Sequence, residues 1–444
     1  MRRMKSPFII TVLLLVTLTS AMVKPASTYA ASVDVEAESA ILVDSETGKV
    51  LFEKQADVAL PPASMTKMMT EYLVLEAIED GKIAWDTTTQ ISDYPYSISA
   101  NTTFSGFGLK QSKDYTVEEL YDAMAIFSDN AASIALAELI AGTEGEFVKL
   151  MNQKADEMGL GDASFVNSTG LNNTDLGDNY PEGTEPDGTT YMSAESVALL
   201  AYYLINDYPD ALEISSQPTL TFEDRTADNW NWMLPDSSGQ LQQYAYDGVD
   251  GLKTGYTDLA GYTFAGTAER GGQRYITVVM RTDSKGARFN ETAKLLDYGF
   301  NQFQTTELFD KGYQKEDEAT LPVAKGKKDE VQVATNEALE AVIKKGEKDQ
   351  YNAVYEIDES ILNEDGKVTA PISKGDKVGT MTVEYTGSDQ YSYINDEAKE
   401  SVTIDLVAQE DVEKSNWFVL MFQSIFGFFG DIFSSVVDTV KGWF

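Results

Sequence analysis

The sequence predicts a mixed α/β fold of the α+β kind, in which helices pack on an antiparallel sheet and a separate all-β domain follows. Alternating, β-branched-rich hairpin patterns occur at residues 40–53 and again at residues 262–281. Between them, over residues 117–205, the apolar residues fall at helical spacing. From about residue 305 the chain changes to short β runs separated by glycines. Strands at both ends of a helical middle indicate a sheet with an inserted helical lobe.

The N-terminus has the pattern of an export signal. Arg2, Arg3 and Lys5 precede an apolar run from Phe8 to Leu18, which is shorter than the ~20 residues that a membrane-spanning helix needs. We therefore predict a signal peptide over residues 1–31, and a retained transmembrane helix is the alternative. The mature protein is then expected to work outside the cytoplasm.

The composition excludes several kinds of chemistry. The chain of 444 residues contains no cysteine and no histidine, so a Ser-His-Asp triad, a histidine-bound zinc, a cysteine nucleophile and a disulfide are all excluded. We predict no metal and no cofactor. Acyl-transfer chemistry would need a hydroxyl activated by another base, and lysine is a known substitute. The formal net charge of −38 makes nucleic acid an unfavourable partner.

The first hairpin, Ala40 to Glu53 around a turn at Gly48, is followed by a helix that carries a candidate nucleophile. Two prolines precede Ser64, and the run from Ser64 to Ile78 contains good helix formers and no breaker. Ser64 is therefore expected at a helix N-terminus, where free backbone N–H groups can receive an oxyanion. Lys67 lies three residues later, so its amine should reach the Ser64 hydroxyl.

The helical middle contains four predicted helices, and irregular structure is expected before them over residues 86–114 and between them over the acidic stretch 171–190. The predicted helices are Val117–Phe127, Ala131–Ala141, Glu144–Met158 and Ser193–Ile205. A tight turn, Ser128-Asp129-Asn130, separates the first two. The second hairpin pairs Tyr262–Ala268 with Tyr275–Arg281, and an amphipathic helix from Arg288 to Phe303 closes this part of the chain.

Two further segments follow. The all-β part includes the predicted strands Glu330–Ala334, Val378–Tyr385 and Ser401–Val407. In the last segment, large apolar residues form one helical stripe while serines, aspartates and a lysine occupy the other face. The stripe consists of Phe418, Met421, Phe422, Ile425, Phe429, Ile432, Phe433, Val436, Val440 and Trp443. We interpret it as a helix lying in the plane of a membrane surface, and a helix docked on the β domain is the alternative.

Three short motifs occur in a fixed order along the chain. They are Ser64-x-x-Lys67, Ser128-Asp129-Asn130 and Lys253-Thr254-Gly255. Together they are the mark of penicillin-binding proteins and class A β-lactamases. A second Ser-x-Asn sequence begins at Ser99, but the one at Ser128 falls in the tight turn between two helices and is preferred.

Beyond the motifs, the chain resembles the low-molecular-mass penicillin-binding proteins that are serine D-alanyl-D-alanine carboxypeptidases. The residues that carry the resemblance are Leu60–Lys67, Asp129–Ala132, Met151–Ala155, Asp250–Gly255, Ala370–Gly375 and Val378-Gly379. The resemblance implies the penicillin-binding protein/β-lactamase-like transpeptidase fold. It also implies a D,D-peptidase catalytic domain over residues 32–303, a β-rich domain over residues 304–412 and an amphipathic anchor helix over residues 413–444.

By this resemblance, Ser64 would attack the bond between two D-alanines and form an acyl-enzyme. Lys67 would take the proton of the serine, which requires a neutral amine. A free lysine titrates near 10.4, so burial and a second cation have to lower the pKa of Lys67. Lys253 is the expected second cation, and it would also attract the terminal carboxylate of the substrate.

The remaining roles follow from side-chain chemistry and from the family pattern. Ser128 would relay the proton to the leaving amine, and Asn130 would hold both Lys67 and the substrate amide. The Thr254 hydroxyl would bind the carboxylate, and Gly255 would let the substrate lie against the strand edge. The backbone N–H of Tyr256, together with that of the nucleophile, would form the oxyanion hole.

These expectations define a function and its alternatives. The predicted enzyme removes the terminal D-alanine from peptidoglycan stem peptides, binds β-lactam antibiotics as inhibitors, and sits on the outer face of the cytoplasmic membrane of a Gram-positive cell. The alternatives are a D,D-endopeptidase, a β-lactamase and a non-catalytic wall-binding protein. Tyr256 and the segment Tyr191–Ala194 lack histidines that are common in relatives, which bears on substrate preference and pH optimum.

Overall fold

A computed structural model describes residues 33–400 and 402–416. The predicted signal peptide, residues 1–31, lies outside the described residues. Residues 417–444, which make up nearly all of the predicted anchor helix, also lie outside them. In the part of the chain that is described, no helix is both long and apolar enough to cross a membrane.

The described elements, in chain order, are as follows. The strands are β1 (Ser39–Asp44), β2 (Lys49–Lys54), β3 (Thr88–Gln90), β4 (Asp114–Thr116), β5 (Thr219–Phe222), β6 (Arg225–Asp228), β7 (Val249–Thr257), β8 (Gly261–Arg270), β9 (Gln273–Thr282), β10 (Phe303–Phe309), β11 (Thr320–Ala324), β12 (Glu330–Thr335), β13 (Leu339–Lys344), β14 (Tyr351–Ile357), β15 (Val368–Thr369), β16 (Lys377–Tyr385), β17 (Ser392–Tyr393) and β18 (Ile404–Ala408). The α-helices are Lys67–Glu79, Asp93–Ser99, Val117–Phe127, Asn130–Ala141, Glu144–Met158, Asn173–Leu176, Ala194–Asp207, Ala211–Ser215, Lys285–Gln302 and Asp396–Glu400. Short 3₁₀ turns occur at Ala63–Thr66, Gly177–Asn179, Gly239–Tyr244, Lys348–Gln350 and Glu359–Ile361.

The sheet of the catalytic part is antiparallel, as predicted, and has the strand order β17-β2-β1-β9-β8-β7. Helices cover both of its faces. Ile41 and Val43 of β1 belong to the core that the helical lobe builds, whereas Leu42, which points the other way, approaches Gly299 of the helix Lys285–Gln302. This double cover explains why every residue of β1 is buried.

The predicted lobe helices are present, and side chains at their first turns fix where they begin. Thr116 forms a capping box with Glu119 at the start of Val117–Phe127. Thr143 and Ser193 cap the helices that follow them through the side chain alone, each accepting a hydrogen bond from a backbone N–H three residues later. These local signals explain why the predicted starts agree with the structure.

The segment 86–114 is more regular than predicted. It contains the helix Asp93–Ser99 and β3, which pairs antiparallel with β4 where the segment ends. Pro95 falls in the first turn of that helix, where its missing N–H costs nothing. The expectation of irregular structure was therefore wrong for part of this segment.

The C-terminal part is all-β, as predicted. A six-stranded sheet has the order β14-β16-β18-β12-β11-β15, and β10 pairs with β13 beside it. Its core contains Val331, Val333, Met381 and Leu406. Val331 and Val333 lie two residues apart on β12 and therefore share one face of the sheet.

One link between the two parts was not predicted. Strand β17, although it comes from the C-terminal part, pairs antiparallel with β2 at the edge of the catalytic sheet. Ile394 and Ala398, just beyond it, are buried in the same core as the catalytic helices. The chain therefore returns to the catalytic sheet before it completes the β domain at β18.

Candidate active site

Ser64 lies in the 3₁₀ turn Ala63–Thr66, directly before the α-helix Lys67–Glu79. The turn is held by the carbonyl of Pro62, which accepts hydrogen bonds from the Met65 N–H at 3.2 Å and from the Thr263 hydroxyl at 3.2 Å. Ser64 itself is only half-buried, and it lines an open cavity of about 730 Å³. The nucleophile candidate is thus presented to solvent from a rigid turn.

Lys67 is completely buried below Ser64 and makes three polar contacts. Its Nζ lies 3.1 Å from Ser64 Oγ and donates to Asn130 Oδ1 at 2.8 Å and to the Thr169 carbonyl at 2.7 Å. Both of those acceptors are fixed oxygens without a proton to give. When the amine is neutral they hold its two hydrogens, and its lone pair then points to Ser64 Oγ.

The electrostatic surroundings favour this neutral amine. Burial lowers the pKa of Lys67 well below its usual value, and the nearby positive charge of Lys253 lowers it further. Asp129, Glu71 and Glu144 act in the opposite direction but do not reverse the shift. A lysine in this position can accept a proton at neutral pH.

The Thr169 carbonyl is held in place by a hydrogen-bonded loop. Asn167 Oδ1 accepts from the backbone N–H groups of Thr169 at 3.1 Å and of Gly170 at 2.8 Å. Buried Glu144 accepts from the Ser168 N–H at 2.8 Å and from the Ser168 hydroxyl at 2.6 Å. The acceptor for Lys67 therefore cannot turn away without breaking several buried hydrogen bonds.

The turn Ser128-Asp129-Asn130 brings its first and third side chains to the cavity wall. Ser128 is in the left-handed backbone region, with φ at +64°, and its buried hydroxyl has no hydrogen-bond partner among the described residues. Asp129 caps the next helix through the Ala132 N–H. Asn130 donates from its side chain to the Ser105 carbonyl at 3.2 Å while its oxygen accepts from Lys67.

Ser99, the other candidate, is also at the cavity, but its hydroxyl accepts a hydrogen bond from the Leu109 N–H. The contact with Lys67 is made by Asn130 instead. The structure thus brings the Ser128 motif, rather than the Ser99 motif, to the buried amine.

Strand β7 carries Lys253, Thr254 and Gly255 past the Ser64 turn. Lys253 and Thr254 are buried, and burial lowers the pKa of Lys253 to about 8 although the charge of Glu71 raises it. A Cβ on Gly255 would lie 2.6 Å from the Pro62 carbonyl oxygen and 2.5 Å from Thr263 Oγ1. Glycine at this position therefore lets β7 pack against the turn. The sequence did not reveal this reason for a glycine at position 255.

Tyr256 follows on β7, and its side chain lies at the cavity mouth. It is 46% exposed, stacks on Tyr262 with ring centroids 4.4 Å apart, and donates from its hydroxyl to Asp258 at 2.8 Å. Its backbone is paired in register with Tyr262. The ring thus forms an aromatic wall at the cavity mouth, with the Tyr256 hydroxyl at its edge.

Two charged residues at this site were not predicted. Arg288 lines the cavity and donates to the Gly255 carbonyl at 3.1 Å, and its Nε is buried without a partner in the described part of the chain. Glu71 is buried one helical turn beyond Lys67, and one of its carboxylate oxygens likewise has no described partner. A charge on the expected apolar face of a helix is the only sequence signal for either residue.

Comparison with known proteins identifies the family of the chain. Residues 25–284 match the sequence model of the D-alanyl-D-alanine carboxypeptidases, peptidase family S11. The chain belongs to this family. Residues 303–414 match the model of the penicillin-binding protein 5 C-terminal domain. The resemblance inferred from the motifs is confirmed, and so is the penicillin-binding protein fold.

Individual relatives align over most of the chain. D-alanyl-D-alanine carboxypeptidase DacF of Bacillus subtilis is 34% identical over 390 residues, which cover 87% of this chain and 91% of the relative. DacA of Escherichia coli K12 is 33% identical over 356 residues, 80% of each chain. Among solved structures, a peptidoglycan synthesis regulatory factor (PBP3) from Streptococcus pneumoniae superposes with a TM-score of 0.68 at 37% identity, covering 85% of this chain and 99% of that one.

One relative has been solved with a drug in place. Penicillin-binding protein D2 of Listeria monocytogenes, in its ampicillin-bound form, covers 61% of this chain and 99% of its own, with 32% identity and a TM-score of 0.51. This chain is thus a serine-type D-alanyl-D-alanine carboxypeptidase of the penicillin-binding class. In the described residues no group of acidic side chains is arranged to hold a metal ion.

Proposed function

We propose that Ser64 is the nucleophile of this carboxypeptidase and that Lys67 is its base. The observation that supports this most directly is the contact of the buried Lys67 amine with Ser64 Oγ, while Asn130 and Thr169 occupy the other two directions around the amine. In the acylation step Ser64 Oγ bonds to the carbonyl carbon of the penultimate D-alanine. Its proton passes to Lys67.

The negative charge that develops on the carbonyl oxygen is received by backbone N–H groups of Ser64 and Tyr256. Supporting this, β7 packs directly against the Ser64 turn at Gly255. Ser128, whose hydroxyl has no other described partner, passes the proton from Lys67 to the nitrogen of the leaving D-alanine. The C–N bond breaks and the acyl-enzyme remains.

Recognition of the terminal carboxylate falls to the cationic side of the cavity. Lys253 supplies charge, and its pKa of about 8 leaves it protonated at neutral pH. The Thr254 hydroxyl and the Arg288 guanidinium, both at the cavity wall, supply hydrogen bonds. Asn130 has an amide that can bind the substrate peptide as well as Lys67.

Water then attacks the acyl-enzyme, again with Lys67 as the base. No carboxylate lines the cavity in the described part of the chain, whereas a β-lactamase of this fold uses one to activate its hydrolytic water. This favours a carboxypeptidase with a long-lived penicillin adduct over a β-lactamase. A D,D-endopeptidase would use the same residues and remains the second candidate.

We further propose that the enzyme is exported by residues 1–31, carries its catalytic domain over residues 32–303 and its β domain over residues 304–412, and is held at the membrane surface by the amphipathic segment 413–444. The support is the charge and apolar pattern of both termini. A Gram-positive wall, with its peptidoglycan stem peptides as substrate, is the setting that this arrangement favours.

The test is release of D-alanine from a D-Ala-D-Ala peptide. The wild-type enzyme should release one D-alanine per peptide, and Ser64→Ala should reduce the rate to background. Ser99→Ala serves as the matched control, because Ser99 lines the same cavity and is expected to retain activity. Undiminished release by Ser64→Ala would overturn the proposal.

A further inference from the structure

The charges around the cavity differ from those of the rest of the molecule. The chain has 72 acidic residues against 34 basic ones, yet no described Asp or Glu lines the cavity, and all of its charged lining residues are cations. Arg288 is at the Gly255 end of the cavity, where the terminal carboxylate is expected. Arg225 and Lys285 are additional, and the mechanism gives them no role.

These two cations are held on a row of aromatic rings beside Ser128. Trp230 donates from its indole nitrogen to the Phe127 carbonyl at 2.9 Å, and the two rings stack with centroids 5.8 Å apart. The Arg225 guanidinium lies 5.2 Å from the Phe127 ring centroid, and Lys285 Nζ lies 5.1 Å from that of Trp230. We call Arg225, Phe127, Trp230 and Lys285 the cationic ridge.

Neither cation of the ridge is neutralised by an acidic side chain of the part of the chain that the structure describes. No ion pair joins Arg225 or Lys285 to an acidic side chain among the described residues, and both side chains are exposed. Within the described ranges, Arg225 makes one hydrogen bond, from Nη1 to the Gly106 carbonyl at 3.1 Å, which leaves other guanidinium N–H groups unused there. Other cations near it are paired, since Lys110 and Lys113 both contact Glu223.

We infer that the cationic ridge binds a second carboxylate of the peptide substrate, in addition to that of the terminal D-alanine. A guanidinium and an ammonium on one wall suit a carboxylate, and aromatic faces keep both cations oriented toward the open cavity. Because Phe127 immediately precedes Ser128, the ridge lies along the same cleft as the reacting bond. The inference rests on the proposed function, since it places the reacting bond at Ser64.

A purely structural role for the ridge is the competing explanation. Arg225 could serve only to tie the hairpin of β5 and β6 to the loop at Gly106. In that case removing its charge would affect all substrates alike. A binding role would affect only substrates that carry the second carboxylate, so a matched pair of peptides separates the two explanations.

The experiment compares two peptides with the same D-Ala-D-Ala terminus. One carries a free α-carboxylate on a γ-linked D-glutamyl residue, and the other carries a carboxamide at that position. For the wild-type enzyme, kcat/KM at low salt should be about 3- to 10-fold higher for the acid, mainly through KM, and the preference should shrink as NaCl is added. The double variant Arg225→Gln/Lys285→Gln should lose the preference.

Lys149→Gln is the control, because Lys149 lies on a remote helix surface in a pair with Glu146. It should keep the preference for the acid. An equal kcat/KM for both peptides in the wild-type enzyme, or an unchanged preference in the double variant, would overturn the inference. Acylation by benzylpenicillin, which has a single carboxylate, tests the proposed function separately. If the wild-type enzyme is not acylated, the result counts against the proposed role of Ser64 and not against the ridge.

Discussion

Three buried ionisable side chains control the charge at the site: Lys67, Lys253 and Glu71. Lys67 has to be neutral to accept a proton, whereas Lys253 has to be charged to attract a carboxylate. Burial lowers the pKa of both lysines, and Glu71 raises the pKa of both. Burial also raises the pKa of Glu71 to about 7. Activity should therefore rise with pH as Lys67 loses its proton and fall as pH passes about 8, where Lys253 loses its own.

The variant Glu71→Gln tests this arrangement. Without the carboxylate, the pKa values of Lys67 and Lys253 should both fall, so both limbs of the pH profile for acylation by benzylpenicillin should move to lower pH. At pH 8 the acylation rate should drop severalfold, because Lys253 is then mostly neutral. The pH dependence of the second-order acylation rate measures this directly.

Glu79→Gln is the control for that variant, because Glu79 ends the same helix and is exposed. Its profile should match that of the wild type. A purely structural role for Glu71 would lower the rate equally at every pH and leave both limbs in place. That result would contradict the account.

At the scale of elements, the approach of β7 to the Ser64 turn sets the geometry of the site. A side chain on Gly255 would require the turn or the strand to shift, because its Cβ would meet the Pro62 carbonyl and Thr263. Gly255→Ala should thus lower the free energy of unfolding by about 1–3 kcal/mol and slow acylation.

Thermal unfolding and the acylation rate would be measured together for Gly255→Ala. Gly161→Ala is the matched control, since no described atom beyond its two chain neighbours lies within 4 Å of the added methyl group. Equal behaviour of the two variants would show that the close packing of β7 has no influence on the site.

At this scale, the sequence predicted the helices and hairpins that local patterns encode. The β1–β2 and β8–β9 hairpins and the helix that Ser193 caps follow from alternation, glycine turns and a capping serine. Strand β17 has only two residues and gains its hydrogen bonds from β2, far away in the sequence. No local pattern could indicate that pairing.

The same limit applies to the site. Ser64, Lys67, Ser128, Asn130 and Lys253 could be proposed from the sequence because their motifs are short and contiguous. The Thr169 carbonyl and the side chains of Arg288 and Glu71 matter through their tertiary neighbours. Their roles depend on burial and distance, which the sequence does not display.

At the scale of the whole molecule, several contacts among the described residues join the catalytic and β parts. Ile394 and Ala398 are buried among the catalytic helices and strands. Lys49 of β2 donates to the Val342 carbonyl at 2.8 Å and to the Tyr351 hydroxyl at 3.0 Å, and burial lowers its pKa to about 8. These contacts should hold the β part in a fixed orientation relative to the catalytic sheet.

Ile394→Ala tests this joint. Removing the buried side chain should lower the free energy of unfolding by about 2–4 kcal/mol. Amide exchange should speed up in β17 and the helix Asp396–Glu400, while the rate of acylation by benzylpenicillin stays near that of the wild type. Val58→Ala, at an exposed apolar residue, is the control and should change neither. Unchanged exchange in Ile394→Ala would show that the joint does not depend on this core contact.

The central claim is that Ser64, activated by a neutral Lys67, forms a lasting acyl-enzyme. The most direct measurement is the intact mass of the enzyme over time with benzylpenicillin, followed by peptide mapping of the adduct. The account predicts one adduct per chain, located on the peptide that contains Ser64, persisting for many minutes and absent in Ser64→Ala. An adduct on another residue, an adduct that clears within seconds, or no adduct at all would contradict it.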